Sequence, residues 1–286
     1  MNVDFSPTED ALMYFSITTG YRAGGFNLGY NAPTPVYDKE DITAFELGCN
    51  GQLLDGTLQI NSAIYLYKYE GIALQFREDG GFFGPGTSVT NGPDVDTIGF
   101  EVDVLWLATD SITVGFNYSY TNSEYQGDSD KEIIDNTNPL APSNPVAGTG
   151  VYSDEELKID IDGLTVPRIP ENKFTLWGEY NWQLGDKGKL VFLSTLAYTD
   201  EFLAVGRPRP ETRLNVTPDY IRWDARATWT SSDEQWSVAA FVNNITDEIG
   251  IRQVDNGDQD ANFSYTVEPT NPRWAGIELS WKFGAI

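Results

Sequence analysis

The sequence predicts an all-β fold: an antiparallel, up-and-down sheet of about ten strands that forms a segment of a transmembrane β-barrel. Three observations point there. Apolar and polar residues alternate with a period of two in segment after segment, which gives each strand an oily side and a wet side. The connections alternate between short and long. Tryptophan recurs beside the short turns, at what would be one height in a membrane.

The first strand runs from about Ala11 to Gly20, and Gly24-Gly25 helps open the loop after it. The second covers Ile42 to Gly51, and the turn Q-L-L-D-G leads to the third, Thr57 to Tyr69. A long loop containing Gly and Pro precedes the fourth, Ile98 to Leu107. There Ile98, Phe100, Val102, Val104 and Trp106 alternate with Gly99, Glu101 and Asp103. The A-T-D turn gives the fifth, Ser111 to Tyr120, with Ile112, Val114, Phe116, Tyr118 and Tyr120 on one side. The connection 126–170 is rich in Asp, Asn, Pro and Gly and reads as an irregular loop. Strand six is Lys173 to Trp182, and after the turn L-G-D-K-G comes strand seven, Lys189 to Tyr198. An R-P-R-P loop leads to the eighth, Tyr220 to Trp229, which sets Ile221, Trp223, Ala225, Ala227 and Trp229 against Arg222, Asp224 and Arg226. The S-S-D-E turn gives the ninth, Gln235 to Asn244, and a polar loop precedes the last, Pro272 to Phe283. Its Ala275, Ile277, Leu279, Trp281 and Phe283 oppose Gly276, Glu278, Ser280 and Lys282.

Short turns therefore follow strands two, four, six and eight, and long loops follow the odd ones. Membrane barrels sort their connections in this way, with short turns on one side and long loops on the other. All fifteen prolines fall in predicted connections, where the missing N–H breaks no ladder. Charges on the second face cannot fill a dry core unpaired, but they can line a wet lumen. Glu46, Glu101, Asp103, Glu179, Arg222, Asp224, Arg226 and Glu278 are expected there. Trp106, Trp182, Trp229, Trp236, Trp281 and Phe283 are expected to form a girdle at the turn end. Tyr65, Tyr67, Tyr69, Tyr118, Tyr120 and Tyr198 are expected to form a second belt at the loop end.

Composition excludes several functions. The chain carries 18 basic and 43 acidic residues, a net charge of −25, which would repel a nucleic-acid phosphate backbone. It has no histidine and a single cysteine, Cys49, so no intrachain disulfide forms and no His/Cys zinc site is expected. Hydrolases of small barrels generally rely on a histidine base, and that route is closed. A carboxylate pair such as Glu101 and Asp103 is better read as lumen lining than as glycosidase machinery. The acidic stretches Asp255 to Asp260 and Asp128 to Glu132 lack EF-hand spacing, so a polar loop is favoured over a calcium site. No metal, cofactor or catalytic residue is predicted. No apolar run approaches the length of a membrane helix. Met1-Asn2-Val3-Asp4 lacks the basic start and apolar core of a signal peptide, so either the chain is not exported or its natural start lies elsewhere.

Five motifs carry a resemblance. They are G-Y-R-A-G-G-F-N (Gly20 to Asn27), A-F-E-L-G (Ala44 to Gly48), I-G-F-E-V-D (Ile98 to Asp103), V-N-N-I-T-D-E (Val242 to Glu248), and the closing strand from P-R-W to W-K-F. In this order and spacing the chain resembles the C-terminal part of TonB-dependent receptors, plugged transporters of bacterial outer membranes. The resemblance implies that residues 1–286 are a little under half of a barrel of about 22 strands. It implies a globular plug and earlier strands outside this sequence, and an intact protein that imports a ferric siderophore using energy from TonB. The implied partners are outer-membrane lipid, the remaining strands and plug, TonB, the iron–siderophore chelate, and the barrel-assembly machinery, which reads the terminal strand. Import of carbohydrate or cobalamin by the same architecture is the alternative. A soluble β-sandwich binding module is the rival of another class. Among loop residues, Arg22, Asn27, Arg207, Arg209, Arg213 and Arg252 could meet an anionic chelate. Tyr21, Phe26, Phe82, Phe83 and Tyr265 could stack on a flat ligand.

Overall fold

The computed structural model describes residues 1–27, 35–78, 86–127, 133–134, 158–159, 162–204, 216–256 and 265–283. Its frame is one eleven-stranded sheet in plain sequence order. The strands are β1 (Asn2–Thr8), β2 (Ala11–Arg22), β3 (Glu40–Leu53), β4 (Leu58–Glu70), β5 (Asp94–Thr109) and β6 (Ile112–Gln126). They continue with β7 (Asn172–Gln183), β8 (Lys189–Thr199), β9 (Tyr220–Thr230), β10 (Trp236–Asn243) and β11 (Trp274–Trp281). Every neighbouring pair is antiparallel. Among the described residues the outer edges of β1 and β11 have no partner strand in the sheet, so the barrel wall is open.

Register places the alternation on two consistent faces. Ile112, Tyr180, Phe192, Ala227, Ala240 and Ile277 form one row across β6 to β11. Asn50, Asn61, Asp103, Asn117 and Thr175 form a row of the opposite face across β3 to β7. The apolar face is open to the surroundings: Ile277 is 79% exposed, Leu279 67% and Trp223 43%. A soluble sandwich would bury those side chains against a second sheet, and here the remaining sheets are two-stranded ribbons. Among the described residues the buried apolar cluster is small. Val95 and Tyr125 pack with Tyr69, Ile72, Leu74, Leu164 and Val166 at the loop end of β4 to β6. Backbone bonds from Tyr125 N to Leu164 O (3.0 Å) and from Val166 N to Ser123 O (2.9 Å) hold the end of the long connection there.

Two expectations are corrected and one is refined. The sheet of about ten expected strands has eleven, because Asn2–Thr8 pairs with β2. That segment offers only Val3 and Phe5 as alternating apolar residues, too short a pattern to read, and its stability comes from the ladder. Pro7 therefore lies inside a strand, but on the outermost one, between Phe5 and Thr8, where the register shifts. Proline is tolerated at such an edge bulge because no neighbour needs its N–H. Finally, Tyr65, Tyr67 and Tyr69 pair with Gly99, Thr97 and Val95 on the polar face, so they cannot join a belt with Tyr118, Tyr120 and Tyr198. Strand β4 has large residues on both faces, which conceals its parity in sequence.

Candidate functional site

The polar face bends around a hollow of about 500 Å³ lined by Tyr14, Asn61, Glu101, Asp103, Asn117 and Lys173. All eight charged residues expected in the lumen lie on this face. Tyr14 donates its hydroxyl to Glu46 Oε1 (2.5 Å) across β2 and β3. Asp103 accepts from Asn61 Nδ2 (3.3 Å) on one side and from Asn117 on the other. Asn181 Nδ2 donates to Glu179 Oε1 (2.8 Å). Two ion pairs of this face lie on the last strands. Arg222 Nη2 and Asp224 Oδ2 are 2.9 Å apart, and Arg226 pairs with Glu278 while lying 5.6 Å over the ring of Phe241. Arg226 therefore ties β9 to β11 across β10.

Aromatic rings of this face lie flat over glycines of the neighbouring strand. A Cβ on Gly48 would fall inside the Tyr14 ring, one on Gly99 inside Tyr65, one on Gly115 inside Trp177 and one on Gly276 against Phe241. Tyr65 illustrates the result: it is 8% exposed, and its hydroxyl reaches Thr121 Oγ1 at 3.0 Å, two strands away. The rings keep their bulk against the wall and leave the hollow clear.

At the loop end, side chains lace the first two long connections together. Arg22 Nη2 bonds Glu40 Oε2 (2.9 Å), and the same carboxylate accepts the Ala73 N–H (2.9 Å). Asn27 Nδ2 donates to Val89 O (2.7 Å), and its Oδ1 accepts from Val89 N (2.8 Å). Asn91 bonds the N–H and carbonyl of Asp38 (2.6 and 3.1 Å) and the carbonyl of Gly71 (2.9 Å). Each amide thus acts as a peptide group in a ladder, joining the ribbon Gly25–Phe26/Val36–Tyr37 to the ribbon Ala73–Glu78/Gly86–Asn91.

These contacts sort the expected ligand residues. Arg22 is paired, Asn27 serves the backbone, and Arg252 lies 3.6 Å from Glu268 within the ribbon Ile251–Asn256/Tyr265–Pro269. Tyr21 and Phe26 are open, 75% and 76% exposed. Tyr21 projects on the apolar face, opposite to Arg22. Tyr265 lies in the last ribbon opposite Asn256. Phe82, Phe83, Arg207, Arg209 and Arg213 lie outside the described residues, as do most of the two acidic stretches. Among the described residues no group of acidic side chains and Cys49 is arranged to hold a metal ion.

Sequence reasoning missed Asn244, within V-N-N-I-T-D-E. It is 3% exposed with φ 53°, and its Nδ2 donates to Glu248 O (2.8 Å) and Asn271 O (3.1 Å). Its own N–H bonds Asp224 Oδ1 (2.7 Å). Arg273, also unforeseen, bonds Asp247 Oδ2 and the Ile245 carbonyl. An asparagine ahead of I-T-D was the available signal, since this residue tolerates the left-handed region and satisfies turn backbone.

The opposite face carries Trp106, Trp182, Trp223, Trp229, Trp236 and Trp281, while Trp177 and Trp274 lie on the polar face. Trp182, Leu190, Trp229, Val238 and Leu279 form a single row near the turn end. Trp236 stacks on Trp281 at 5.5 Å, Phe283 lies 5.2 Å from Trp281, and Trp106 pairs with Leu58 and Val114. The five tryptophans and Phe283 thus cluster at one end of the wall. Higher up, Trp223 donates its indole N–H to Ser194 Oγ at 2.8 Å.

Comparison with known proteins decides what this wall belongs to. The family model described as TonB dependent receptor-like, beta-barrel matches residues 1–245. The chain belongs to the TonB-dependent receptor β-barrel family. A probable TonB-dependent siderophore receptor, PiuA of Acinetobacter baumannii, is 22% identical over 253 residues, covering 86% of this chain and 29% of the relative. The ferric yersiniabactin uptake receptor FyuA of Yersinia pestis superposes with a TM-score of 0.73 at 15% identity, over 99% of this chain and 37% of that one. The pyoverdine receptor FpvA of Pseudomonas aeruginosa gives 0.66 at 16% identity, over 99% and 35%. The chain spans about a third of the length of these proteins. TonB-dependent receptors are transport receptors of the bacterial outer membrane rather than enzymes, and the open eleven-stranded sheet is part of such a barrel wall.

Proposed function

We propose that residues 1–286 are the C-terminal wall of a TonB-dependent receptor that imports ferric siderophores. The observation that carries this is the pairing of an exposed apolar face with a polar, hollow-lining face on strands of one family barrel. The apolar face meets lipid, with the tryptophans and Phe283 at the headgroup level of the turn side. The polar face lines the lumen and seats a plug supplied by the rest of the polypeptide. TonB acts on that plug, and β11 presents the aromatic end that the assembly machinery reads. The loop end forms the vestibule, where the open ring of Phe26 offers stacking surface.

The siderophore is favoured as cargo because the curated relative, similar over 86% of this chain, is named a siderophore receptor. Disrupting the gene that carries this chain should slow growth under iron chelation and reduce uptake of radio-iron presented as siderophore chelates. Normal iron uptake in the disrupted strain, with loss of uptake of a sugar or cobalamin, would transfer the wall to a different cargo. Recovery of the protein as a detergent-free soluble monomer would remove the membrane reading altogether.

A further inference from the structure

We infer that the five long connections open and close as one rim, keyed by Tyr125, rather than as five separate flaps. The connections are 23–39, 71–93, 127–171, 200–219 and 244–273, and all lie at the same end of the wall. Each carries a two-stranded ribbon within its described residues. A lone two-stranded ribbon is marginally stable in water. Such ribbons hold their shape only by leaning on something else, and here successive connections lean on one another.

The ties run without a gap from the first connection to the fifth. Asn27 makes two bonds to the backbone of Val89, and Asn91 makes two to the backbone of Asp38, which joins the first connection to the second. The second meets the third through an apolar junction. Val95 and Tyr125 are opposite each other at the loop ends of β5 and β6, buried, on the face that carries Glu101 and Asp103 lower down. Ile72 and Leu74 of the second connection and Leu164 and Val166 of the third pack on this pair. Beside it, Thr97 and Ser123 share a buried hydrogen bond of 2.7 Å. The third connection is tied to the fourth by Arg168 N, which donates to Leu203 O (2.7 Å). The fourth is tied to the fifth by Val254 N, which donates to Ala204 O (3.5 Å). Leu203, Ala204 and Val254 are all buried, so water competes poorly for these last two bonds.

The junction at Tyr125 differs in kind from the other ties. Hydrogen bonds between exposed groups are readily exchanged for bonds to water, and each contributes little by itself. Apolar side chains leave water only when their neighbours are in place, so a packed junction forms or opens as a whole. Tyr125 has the largest side chain in this junction. Its N–H also bonds Leu164 O (3.0 Å), and its carbonyl accepts from Gly163 N (2.8 Å). Its backbone thus holds the third connection while the junction around its ring holds the second. Among the described residues, the first two connections and the last three are joined there.

The test is native-state hydrogen exchange of the intact receptor that carries this wall, purified in detergent and read by mass spectrometry over a series of sub-denaturing urea concentrations. The bonded N–H groups of Asp38, Val89, Val166, Arg168 and Val254 are expected to exchange through one shared opening, distinct from that of the wall strands. Tyr125→Ala is expected to speed exchange of all five by about tenfold or more, as befits loss of a large buried side chain. Separate openings for these groups in the native receptor overturn the inference. A Tyr125→Ala effect confined to 121–127 and 162–168 overturns it equally. Should Tyr125→Ala fail to assemble as a heat-modifiable barrel, Val95→Ala takes its place, with a smaller acceleration common to all five groups expected and a local one decisive against. Exchange at the rim does not depend on cargo, so a receptor that proves to import a sugar or cobalamin leaves this outcome unchanged.

Discussion

Replacing Gly99 by alanine should destabilise the wall, and the sign of that effect should reverse once Tyr65 is removed. The ring of Tyr65 occupies the space of a Cβ on Gly99, and its hydroxyl is bonded to Thr121 Oγ1 at 3.0 Å. Alanine must push the ring off the wall. Overpacking of this kind costs about 1–3 kcal/mol. Losing the Tyr65 hydrogen bond adds about 1 kcal/mol, so Gly99→Ala should cost roughly 2–4 kcal/mol in total. In a Tyr65→Ala background the obstruction is gone, and alanine is favoured over glycine within a strand by about 0.5–1 kcal/mol. The assay is equilibrium urea unfolding of the receptor wall in vesicles, run as a double-mutant cycle. A cost for Gly99→Ala that persists undiminished without the tyrosine ring would refute the reasoning.

Ser194→Ala leaves the Trp223 indole N–H unpaired on the apolar face, and should cost about 0.6–2 kcal/mol by the same urea assay, as measured for polar pairs in membranes; no change would show that the bond is incidental. Asp233 accepts from Ser231 Oγ (2.6 Å) and Gln235 N (3.1 Å), which hold its carboxyl below the ordinary 3.8. Its folded value is lowered, so its contribution is present above about 3.8 and lost as pH falls through the lower value; Asp233→Asn should remove that acid-side loss of urea midpoint. Asn91→Ala should release both of the first two long connections at once, read as faster protease cleavage in 23–39 as well as in 71–93. Cleavage confined to one of them would mean that the ribbons move separately. Glu278→Gln should weaken the hold of Arg226 on β11 by about 0.5–1 kcal/mol, because both side chains are partly exposed.

The sequence alone determined the class of the protein because that information is local. Period-two alternation assigns a face from residues two apart, and turn chemistry divides short from long connections within five residues. The faces of β5, β6, β9 and β11, the tryptophan row and the order of strands were all legible for this reason. Tertiary structure decided everything that depends on register between strands distant in sequence. It recruited Asn2–Thr8, whose two apolar residues mean nothing without β2 beside them, and it turned Tyr65, Tyr67 and Tyr69 inward by pairing them with Gly99, Thr97 and Val95. It also converted Arg22 and Asn27 from candidate ligand groups into ties between connections, using partners at Glu40 and Val89 that no local pattern points to. Hydropathy reports which side of one strand is oily. Hydrogen-bond register belongs to pairs of strands and exists only once they are aligned.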